Sequence, residues 1–436
     1  GTNSVAHAEE PPKGQGSAAG IQAEQTDPFG EEDPFAVINN AQGSPPNDGE
    51  GPRKVKYKPD AQAAVYFKEF YTAVNGDSRI NPGNQMLKLK SNTSVLETRM
   101  TISDHLDEKQ AWRWLFRGFA STSSYREADG TLRGQTRVDE IFMDWKGQGT
   151  FASIGKRRIN WGHAQGFNPV NVVAPPRDPL NPGYETEGQP MAWFSLTGRM
   201  ATDVVLTRNY DKNWASDQNR WGLKWGMSSD ESDYAIYYFD GARYQDGRDY
   251  ERMLGASFSA NLRPGLTLYM EAADFLRNYR NYYDSDGAVQ RKDGSYLQVV
   301  VGSLIDLGDK SNVFVEYYRN GQGYTKGERR NYLLAADAGL ATGTNNALAD
   351  DFVALSMNRN YLLVGYKKEY REKYAFNLSV LVAEDRSSST RLEGVYALSD
   401  YYEFRTSYLH NAGGRDSEFG NSPYAGLFEI GVNVSF

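Results

Sequence analysis

The sequence predicts an all-β fold, a transmembrane antiparallel β-barrel of about 18 strands, on three observations. Apolar and polar residues alternate with a period of two in many segments. The connections between these segments are alternately short and long. No run of 18 or more apolar residues is present that could form a membrane-spanning helix.

The alternation is clearest in the last segment of the chain, near residues 424–436. Apolar side chains fall on one face and polar or small ones on the other, as expected for a strand with lipid on one side and water on the other. The apolar face is formed by Phe428, Ile430, Val432, Val434 and Phe436. The aromatic residue at the end resembles the C-terminal signature of Gram-negative outer-membrane barrels.

Similar alternation recurs along the chain and predicts the number of strands. An even number, here about 18, is typical of bacterial single-chain barrels. We expect strands near residues 61–75, 86–103, 109–124, 131–147, 149–161, 191–198, 201–209, 219–228, 232–240, 248–262, 265–276, 295–306, 311–321, 352–370, 373–384, 389–398, 401–411 and 424–436.

The lengths of the connections predict the orientation of the barrel. Those after every second strand are short, whereas most others are long and include 162–190, 277–294, 322–351 and 412–423. Short periplasmic turns and long extracellular loops distinguish outer-membrane barrels from propellers and sandwiches. This pattern predicts a bacterial outer-membrane protein, in contact with outer-membrane lipid, with both termini in the periplasm.

Composition excludes several classes of function. The 436-residue chain has no Cys, which excludes disulfides, thiol nucleophiles, thiolate metal sites and thioether-bound haem. A net charge of −8 weighs against nucleic acid as a partner. The mean hydropathy of −0.66 is compatible with a barrel, because lipid-facing and water-facing residues average out.

Two regions differ in character. Residues 1–60 are acidic and rich in Pro and Gly and predict a disordered N-terminal segment, whereas 61–436 form the barrel. Residues 1–8 end in Ala-His-Ala, the small-x-small form of a signal-peptidase site. Within 27–38 an Asp-Pro-Phe triplet occurs twice. This segment is either a flexible periplasmic linker or a short motif that docks a periplasmic partner or folds back into the lumen.

Charged residues on the predicted inward faces are candidates for lining a channel. An Arg or Lys on the lipid face costs roughly 2–4 kcal/mol at the midplane, so charged strand residues should face water. Three pairs are spaced two apart and share a face: Glu97 and Arg99, Arg391 and Glu393, Glu403 and Arg405. The same argument adds Arg113, Arg117, Lys224, Glu271, Glu316 and Glu429. The alternative is that such pairs only stiffen the wall.

The segment 156–182 runs from the fifth strand into the third long loop. Its prolines fix φ, and its Asn-Pro and Asp-Pro pairs favour turns, which suits a fixed, non-helical loop. One interpretation is a loop folded into the barrel that narrows the pore; the other is a rigid external lid whose polar residues satisfy its own backbone. Candidate constriction residues are Arg157, Arg158, Asn168, Asn171, Arg177 and Asp178. The sequence does not decide which of Arg157 and Arg158 faces the lumen.

This segment also carries a family resemblance. The basic-x-x-Trp-Gly turn at Arg158–Gly162, followed by Asn-Pro and Arg-Asp-Pro, resembles proteobacterial porins of the alginate-export-like group and uncharacterised relatives. The resemblance implies an outer-membrane channel for charged or polar solutes, with alginate export as one activity of the group.

The preferred function is therefore a porin that forms a water-filled channel for passive diffusion of small polar or charged solutes. The alternative is a barrel sleeve of a porin-cytochrome electron conduit, in which a multihaem cytochrome would be the partner. No enzyme, cofactor or metal is expected, because the four histidines form no His-Glu-x-x-His and no Gly-x-Ser-x-Gly is present. Asp284-Ser285-Asp286-Gly287 is either a Ca²⁺ ligand cluster or simply a turn.

Overall fold

A computed structural model describes residues 59–85, 87–107, 111–126, 132–174, 177–181, 187–208, 219–241, 252–278, 280–342, 357–371 and 373–436. The predicted signal remnant, the disordered segment and its 27–38 motif all lie outside the described residues, apart from the last two positions of the segment. Those expectations stay predictions.

Eighteen antiparallel strands form one closed sheet, which confirms the predicted fold. The strands are β1 (Asp60–Val74), β2 (Asn92–His105), β3 (Trp112–Arg126), β4 (Leu132–Gly147), β5 (Thr150–Arg157), β6 (Gln189–Leu196), β7 (Ala201–Arg208), β8 (Asn219–Ser228), β9 (Ser232–Asp240), β10 (Met253–Arg263), β11 (Leu266–Phe275), β14 (Tyr296–Gly308), β15 (Ser311–Asn320), β16 (Asn360–Tyr370), β17 (Tyr374–Ala383), β18 (Ser388–Ala397), β19 (Tyr402–Ala412) and β20 (Tyr424–Ser435). A separate small hairpin, β12 (Asn281–Tyr283) and β13 (Val289–Arg291), lies in the loop after β11.

Each barrel strand pairs with its neighbour along the chain, and β1 pairs with β20 to close the cylinder. The connections at the end where β1 begins and β20 finishes are all short, whereas most connections at the other end are long. The exceptions at that other end are the connections between β3 and β4, at residues 127–131, and between β17 and β18, at residues 384–387. The predicted alternation of connection lengths is therefore present in the fold.

Four predicted strand boundaries were wrong. The strand predicted from residue 248 begins at Met253. The other three were misplaced because loops hold local structure that the alternation pattern does not reveal. The strand predicted from residue 86 begins at Asn92, after a 3-10 turn at Pro82–Asn84. The strand predicted to reach 161 ends at Arg157, and the strand predicted from 352 begins at Asn360. Before the latter the chain forms a helix, α1 (Lys326–Thr342), that was not predicted. No helix in the described ranges is both long and apolar enough to cross a bilayer.

The two faces of the sheet differ as the period of two requires. On β20, Phe428 and Ile430 are 39% and 48% exposed and point outward, whereas Glu429 points inward. On β8, Trp221, Trp225 and Met227 are exposed on the outside of the sheet. The outer surface is therefore apolar where these strands cross it, as a lipid-facing surface should be.

A β-bulge changes the inward set on β4. Arg117 of β3 pairs with Glu140, but the next residue, Gly118, pairs with Val138, so Asp139 is the extra residue. A bulge re-aims side chains by interrupting the period of two. As a result the consecutive residues Asp139 and Glu140 are both buried on the inner side of the wall, at 3% and 6% exposure.

A glycine on β16 allows a large aromatic side chain to fill the inner face. A Cβ at Gly365 would overlap the ring of Phe314, which is 1% exposed on the paired strand. We expect Gly365→Val to lower the free energy of unfolding by roughly 1–3 kcal/mol, the usual cost of overpacking. The measurement is urea unfolding of the protein reconstituted in lipid vesicles. Gly394→Val is the matched control, because its nearest neighbouring atom would lie 3.5 Å away; equal destabilisation of both variants would contradict the argument.

Candidate functional site

The third long loop folds into the barrel and packs on the inner wall. We call residues 158–181 of it the inner loop; residues 175 and 176 are not described. Trp161 and Val170 are 2% and 0% exposed and share an apolar cluster with Tyr237 of β9 and Met253 of β10. Because these strand residues lie on the inward face, the segment is inside the cylinder, as one of the two interpretations of the sequence predicts.

Two inward carboxylates hold the inner loop through its backbone. Glu271 of β11 accepts hydrogen bonds from the N–H groups of His163 and Ala164, at 2.5 and 2.8 Å. Glu316 of β15 accepts from Gln165 at 2.6 Å, from Gly166 at 3.1 Å to each oxygen and from Phe167 at 3.0 Å. Tyr269 also donates its hydroxyl to Glu316, at 2.8 Å. Both carboxylates are completely buried. Successive N–H groups that converge on an anion form a binding nest.

Two glycines allow the loop backbone to approach these carboxylates. Gly162 has φ of +92°, a left-handed conformation that disfavours other residues. A Cβ at this position would overlap the Glu271 carboxylate, and one at Gly166 would overlap Leu363. Phe167, next to Gly166, stacks on the ring of Tyr318 with a centroid distance of 4.2 Å. The loop is thus fixed by both apolar packing and hydrogen bonds.

The predicted constriction residues Asn168 and Asn171 stabilise the loop itself. The side-chain amide of Asn168 donates to the carbonyl of Trp161 at 2.7 Å. The amide of Asn171 donates to the side chain of Asn160 at 3.0 Å, and its backbone N–H donates to Asn168 at 3.1 Å. Any contact of these residues with a solute stays a prediction, because their described hydrogen bonds lie within the loop.

The inner face of β1 to β5 carries a continuous array of charges, which we call the charged wall. Glu97 accepts from Lys68 at 2.9 Å and from Arg99 at 2.6 Å. Glu140 accepts from Arg117 at 3.0 Å and from Arg158 at 2.9 Å. Each of these buried acids is therefore shared by two bases.

Both arginines at the end of β5 contribute to the charged wall, which resolves the question that the sequence left open. Arg157 pairs with Asp144 and lies 4.6 Å from the ring centre of Phe142, and Arg158 pairs with Glu140. Strand β5 ends at Arg157, so Arg158 already belongs to the inner loop and is free of the alternation.

Five charged residues of this array were missed by the sequence prediction: Lys68, Arg137, Asp139, Glu140 and Asp144. Arg137 pairs with Asp139 and lies 4.1 Å from the ring centre of Phe119. The signal that could have revealed Asp139 and Glu140 is the run Val138-Asp139-Glu140-Ile141, in which two adjacent acids break the alternation between apolar residues. Such a break is typical of a bulge.

The remaining predicted lining residues are more dispersed. Arg113 is 7% exposed, and its guanidinium lies 5.8 Å from the ring centre of Phe142. Three other ion pairs lie on the inner face. Lys224 of β8 pairs with Asp203 of β7 at 3.9 Å, whereas Arg391 with Glu393 at 3.2 Å and Arg405 with Glu403 at 3.4 Å each lie within one strand. These pairs are not gathered at one point of the interior, and their role in lining a channel stays a prediction.

The predicted eyelet of Arg177 beside Asp178 stays a prediction. Asp178 accepts a hydrogen bond from the N–H of Leu180 at 3.0 Å, which forms a turn at the end of the inner loop. Arg391 of β18 lies close enough to act electrostatically on Asp178. Asp178 therefore lies between a residue of its own loop and a base of the barrel wall.

No protein-family model matches the sequence, and no curated protein matches it. Several mutants of a Rhodopseudomonas blastica porin are similar in structure. A triple mutant has 10% identity and a TM-score of 0.43, and a second mutant has 11% identity and a TM-score of 0.44; both matches cover 87% of this chain and 100% of the porin. The chain is distantly similar in fold to bacterial porins.

At the end of the barrel that carries the long connections, several loops pack together into a second apolar cluster, which we call the loop cap. It joins Ile80 of the β1–β2 loop, Tyr282 of the small hairpin, and Tyr332 and Leu333 of α1. Arg79 links three of these loops through ion pairs with Asp337 of α1 and with Asp416 at 2.8 Å. The cap is therefore held by charge pairs as well as by apolar contacts.

Glu418 is a fully buried carboxyl group at the edge of the loop cap. It accepts hydrogen bonds from the hydroxyl of Tyr361 at 2.8 Å and from the side chain of Asn358 at 2.6 Å. Its backbone N–H donates to Asp385 at 2.8 Å. Burial raises the pKa of Glu418 to about 8.

This raised pKa predicts that the loop cap loses stability as pH rises. Between the ordinary value of 4.5 and about 8, the unfolded loop releases a proton that the folded loop keeps, so stability falls through this window and levels off above it. We expect hydrogen exchange in residues 413–423, corrected for its intrinsic pH dependence, to be faster at pH 8.5 than at pH 5.5. Glu418→Gln should abolish the difference. A variant with the same pH dependence as the wild type would exclude Glu418 as the cause.

The neighbouring carboxyl group of Asp385 does not explain a loss of stability of the loop cap as pH rises. Burial would raise the pKa of Asp385, but hydrogen bonds from Ser387 and Asn358 outweigh that effect and lower it. Asp385 therefore contributes stability that is lost only at acid pH, below the window of Glu418.

The segment Asp284-Ser285-Asp286-Gly287, in the loop after β11, forms a turn. The Asp284 carboxylate accepts from the N–H groups of Asp286 and Ala288, at 3.0 and 2.8 Å, and from the side chain of Gln290 at 3.1 Å. These bonds occupy both of its oxygens within its own hairpin.

Proposed function

We propose that this protein is a bacterial outer-membrane channel for passive diffusion of small polar or charged solutes, with both termini in the periplasm. The observation that carries the proposal is the inner loop, which is anchored to Glu271 and Glu316 on one side of the barrel while the charged wall lies on the other. A barrel of 18 strands is too wide for its own side chains to fill. A loop fixed in the interior narrows such a barrel without replacing its polar lining.

The charged wall supports a preference for anions. Its members on β1 to β5 and at the start of the inner loop include six bases and four acids: Lys68, Arg99, Arg117, Arg137, Arg157 and Arg158 against Glu97, Asp139, Glu140 and Asp144. A groove lined by an excess of one charge raises the local concentration of the opposite ion. We therefore infer that anionic solutes pass more readily than cations of the same size.

The test is a single-channel recording with the purified full chain in planar bilayers. We expect stepwise conductance and, across a KCl gradient, a reversal potential of the sign that reports chloride preference. The same recording on a variant that lacks residues 1–58 shows whether the N-terminal segment limits the current. Purified, membrane-inserted protein that never conducts would overturn the proposal.

The sleeve of a porin-cytochrome conduit is the alternative that the sequence left open. The inner loop occupies interior space that a cytochrome would need, and this favours the channel. Copurification of a haem-stained partner, together with conductance that appears only when the partner is absent, would reverse that preference. The resemblance to the alginate-export-like group stays a prediction; block of the current by alginate oligomers, but not by neutral oligosaccharides of equal length, is its test.

A further inference from the structure

The outer surface of the barrel is not uniformly apolar. On β10 the outward positions are Leu254, Ala256, Phe258, Ala260 and Leu262, none of them polar. Outward polar side chains occur singly on other strands, such as Asp274 of β11 beside Leu254, but they are most numerous on β1 to β4 and on β18 and β19. We call this set the polar strip; it consists of Glu69, Ser94, Thr98, Thr122, Thr136, Thr390, Thr406 and His410.

Glu69 is the charged member of the polar strip. Along β1 its outward neighbours are Phe67 and Tyr71, which are 52% and 47% exposed, and across to β20 it pairs with Ile430, which is 48% exposed. Within the described part of the chain the Glu69 carboxylate has no hydrogen bond or ion pair. A carboxylate among lipid-facing apolar side chains is unfavourable unless it finds a donor.

A donor is present on the same strip, two strands away. His410 of β19 is exposed on the outer surface, and its ring stacks against Tyr408 with a centroid distance of 6.1 Å. Between the two strands, Gly426 of β20 leaves a groove of about 310 Å³ whose lining includes Tyr71, Tyr408 and Phe428. The strip therefore combines an acid, a donor and a recess in one part of the wall.

We propose that the polar strip is an interface with a second copy of this chain, in which Glu69 of one copy accepts a hydrogen bond from His410 of the other. This inference rests on the membrane location in the proposed function. Lipid acyl chains carry no donor for Glu69, and lipid phosphates would repel it, whereas a second copy presents a histidine on the same strip. A two-fold contact would form this pair twice. The groove at Gly426 would receive a side chain of the second copy.

Disulfide cross-linking tests the proposal directly, because the chain has no cysteine. In a Glu69→Cys/His410→Cys double variant the two thiols of one copy are separated by the whole of β20, too far apart for an internal bond. We expect oxidation in native membranes to link two copies, seen as a shift to about twice the monomer mass on non-reducing gels.

A matched control uses the opposite side of the barrel. In the test pair, Glu69 is aligned through Ile430 of β20 with Thr406 of β19, and His410 lies four residues beyond Thr406. In the same way, Met270 of β11 is aligned through Phe258 of β10 with Tyr234 of β9, and Tyr238 lies four residues beyond Tyr234. Met270→Cys/Tyr238→Cys therefore reproduces the strand separation and stagger of the test pair. Equal cross-linking of both variants would show random collision and overturn the proposal.

A second measurement separates this proposal from the function itself. Native mass spectrometry of the wild type in mild detergent should show more than one copy, and Glu69→Ala should shift the distribution toward single copies. Protein that inserts and conducts but is a single copy in both forms would overturn the interface and leave the channel standing. Protein that does not enter membranes at all would overturn both.

Discussion

Replacing Glu316 with alanine is expected to raise the single-channel conductance severalfold. The carboxylate binds three consecutive N–H groups of the inner loop, from Gln165 to Phe167, and the hydroxyl of Tyr269. Each buried donor left without a partner costs roughly 1–3 kcal/mol, so the loop should leave the wall and expose its amides to water. The measurement is unit conductance in planar bilayers, together with the noise of the open state, which should increase as the loop becomes mobile.

Glu429→Ala is the control for this experiment. Glu429 is also an inward carboxylate, and its described hydrogen bond is with Ser407 of β19, at 3.2 Å. Its removal should leave the loop in place and change conductance only slightly. If both variants conduct like the wild type, the inner loop does not determine the width of the channel.

Neutralising two bases of the charged wall is expected to shift ion selectivity strongly toward cations. Arg117 and Arg158 share Glu140, so Arg117→Gln/Arg158→Gln leaves a buried carboxylate without its cationic partners. Among the ion-paired residues of the wall, the bases then no longer outnumber the acids. The reversal potential across a KCl gradient should move toward the cation-selective sign, and the shift should be largest at low salt, where screening is weakest.

The control removes two positive charges away from the wall. Lys310→Gln/Lys368→Gln changes residues at a short turn and at the outer face of β16, beside Asp309. The net charge then falls by the same amount while the interior is unchanged. An equal shift in both double variants would mean that the charged wall is not the selectivity filter.

The strands were predictable because each is specified by its own residues. The alternation from Leu254 to Leu262 separates an apolar face from a face of small and polar residues whatever the rest of the chain does. The turns between such segments then give the number of strands. The resulting count and the direction of the hairpins match the closed sheet.

The loops were predicted less well, for two different reasons. Helix α1 carries a local signal that was missed: in Thr325-Lys326-Gly327-Glu328, the Glu328 carboxylate accepts from the N–H of Thr325 at 2.8 Å, and its own N–H donates back to the Thr325 hydroxyl at 3.3 Å. This is a capping box, readable from sequence. The anchoring of the inner loop by Glu316 has no local signal, because about 150 residues separate it from its donors.

The pairing of β1 with β20 has a consequence for biogenesis. Phe436 exchanges backbone hydrogen bonds with Ala63, at 2.8 and 3.3 Å, so the seam joins the two ends of the described chain. During folding, the free edge of β1 stays unpaired until β20 arrives, and an exposed strand edge is a template for aggregation. Closure of the cylinder joins residues far apart in sequence and is therefore a late step of folding. We expect the chain to be most prone to aggregation just before this step.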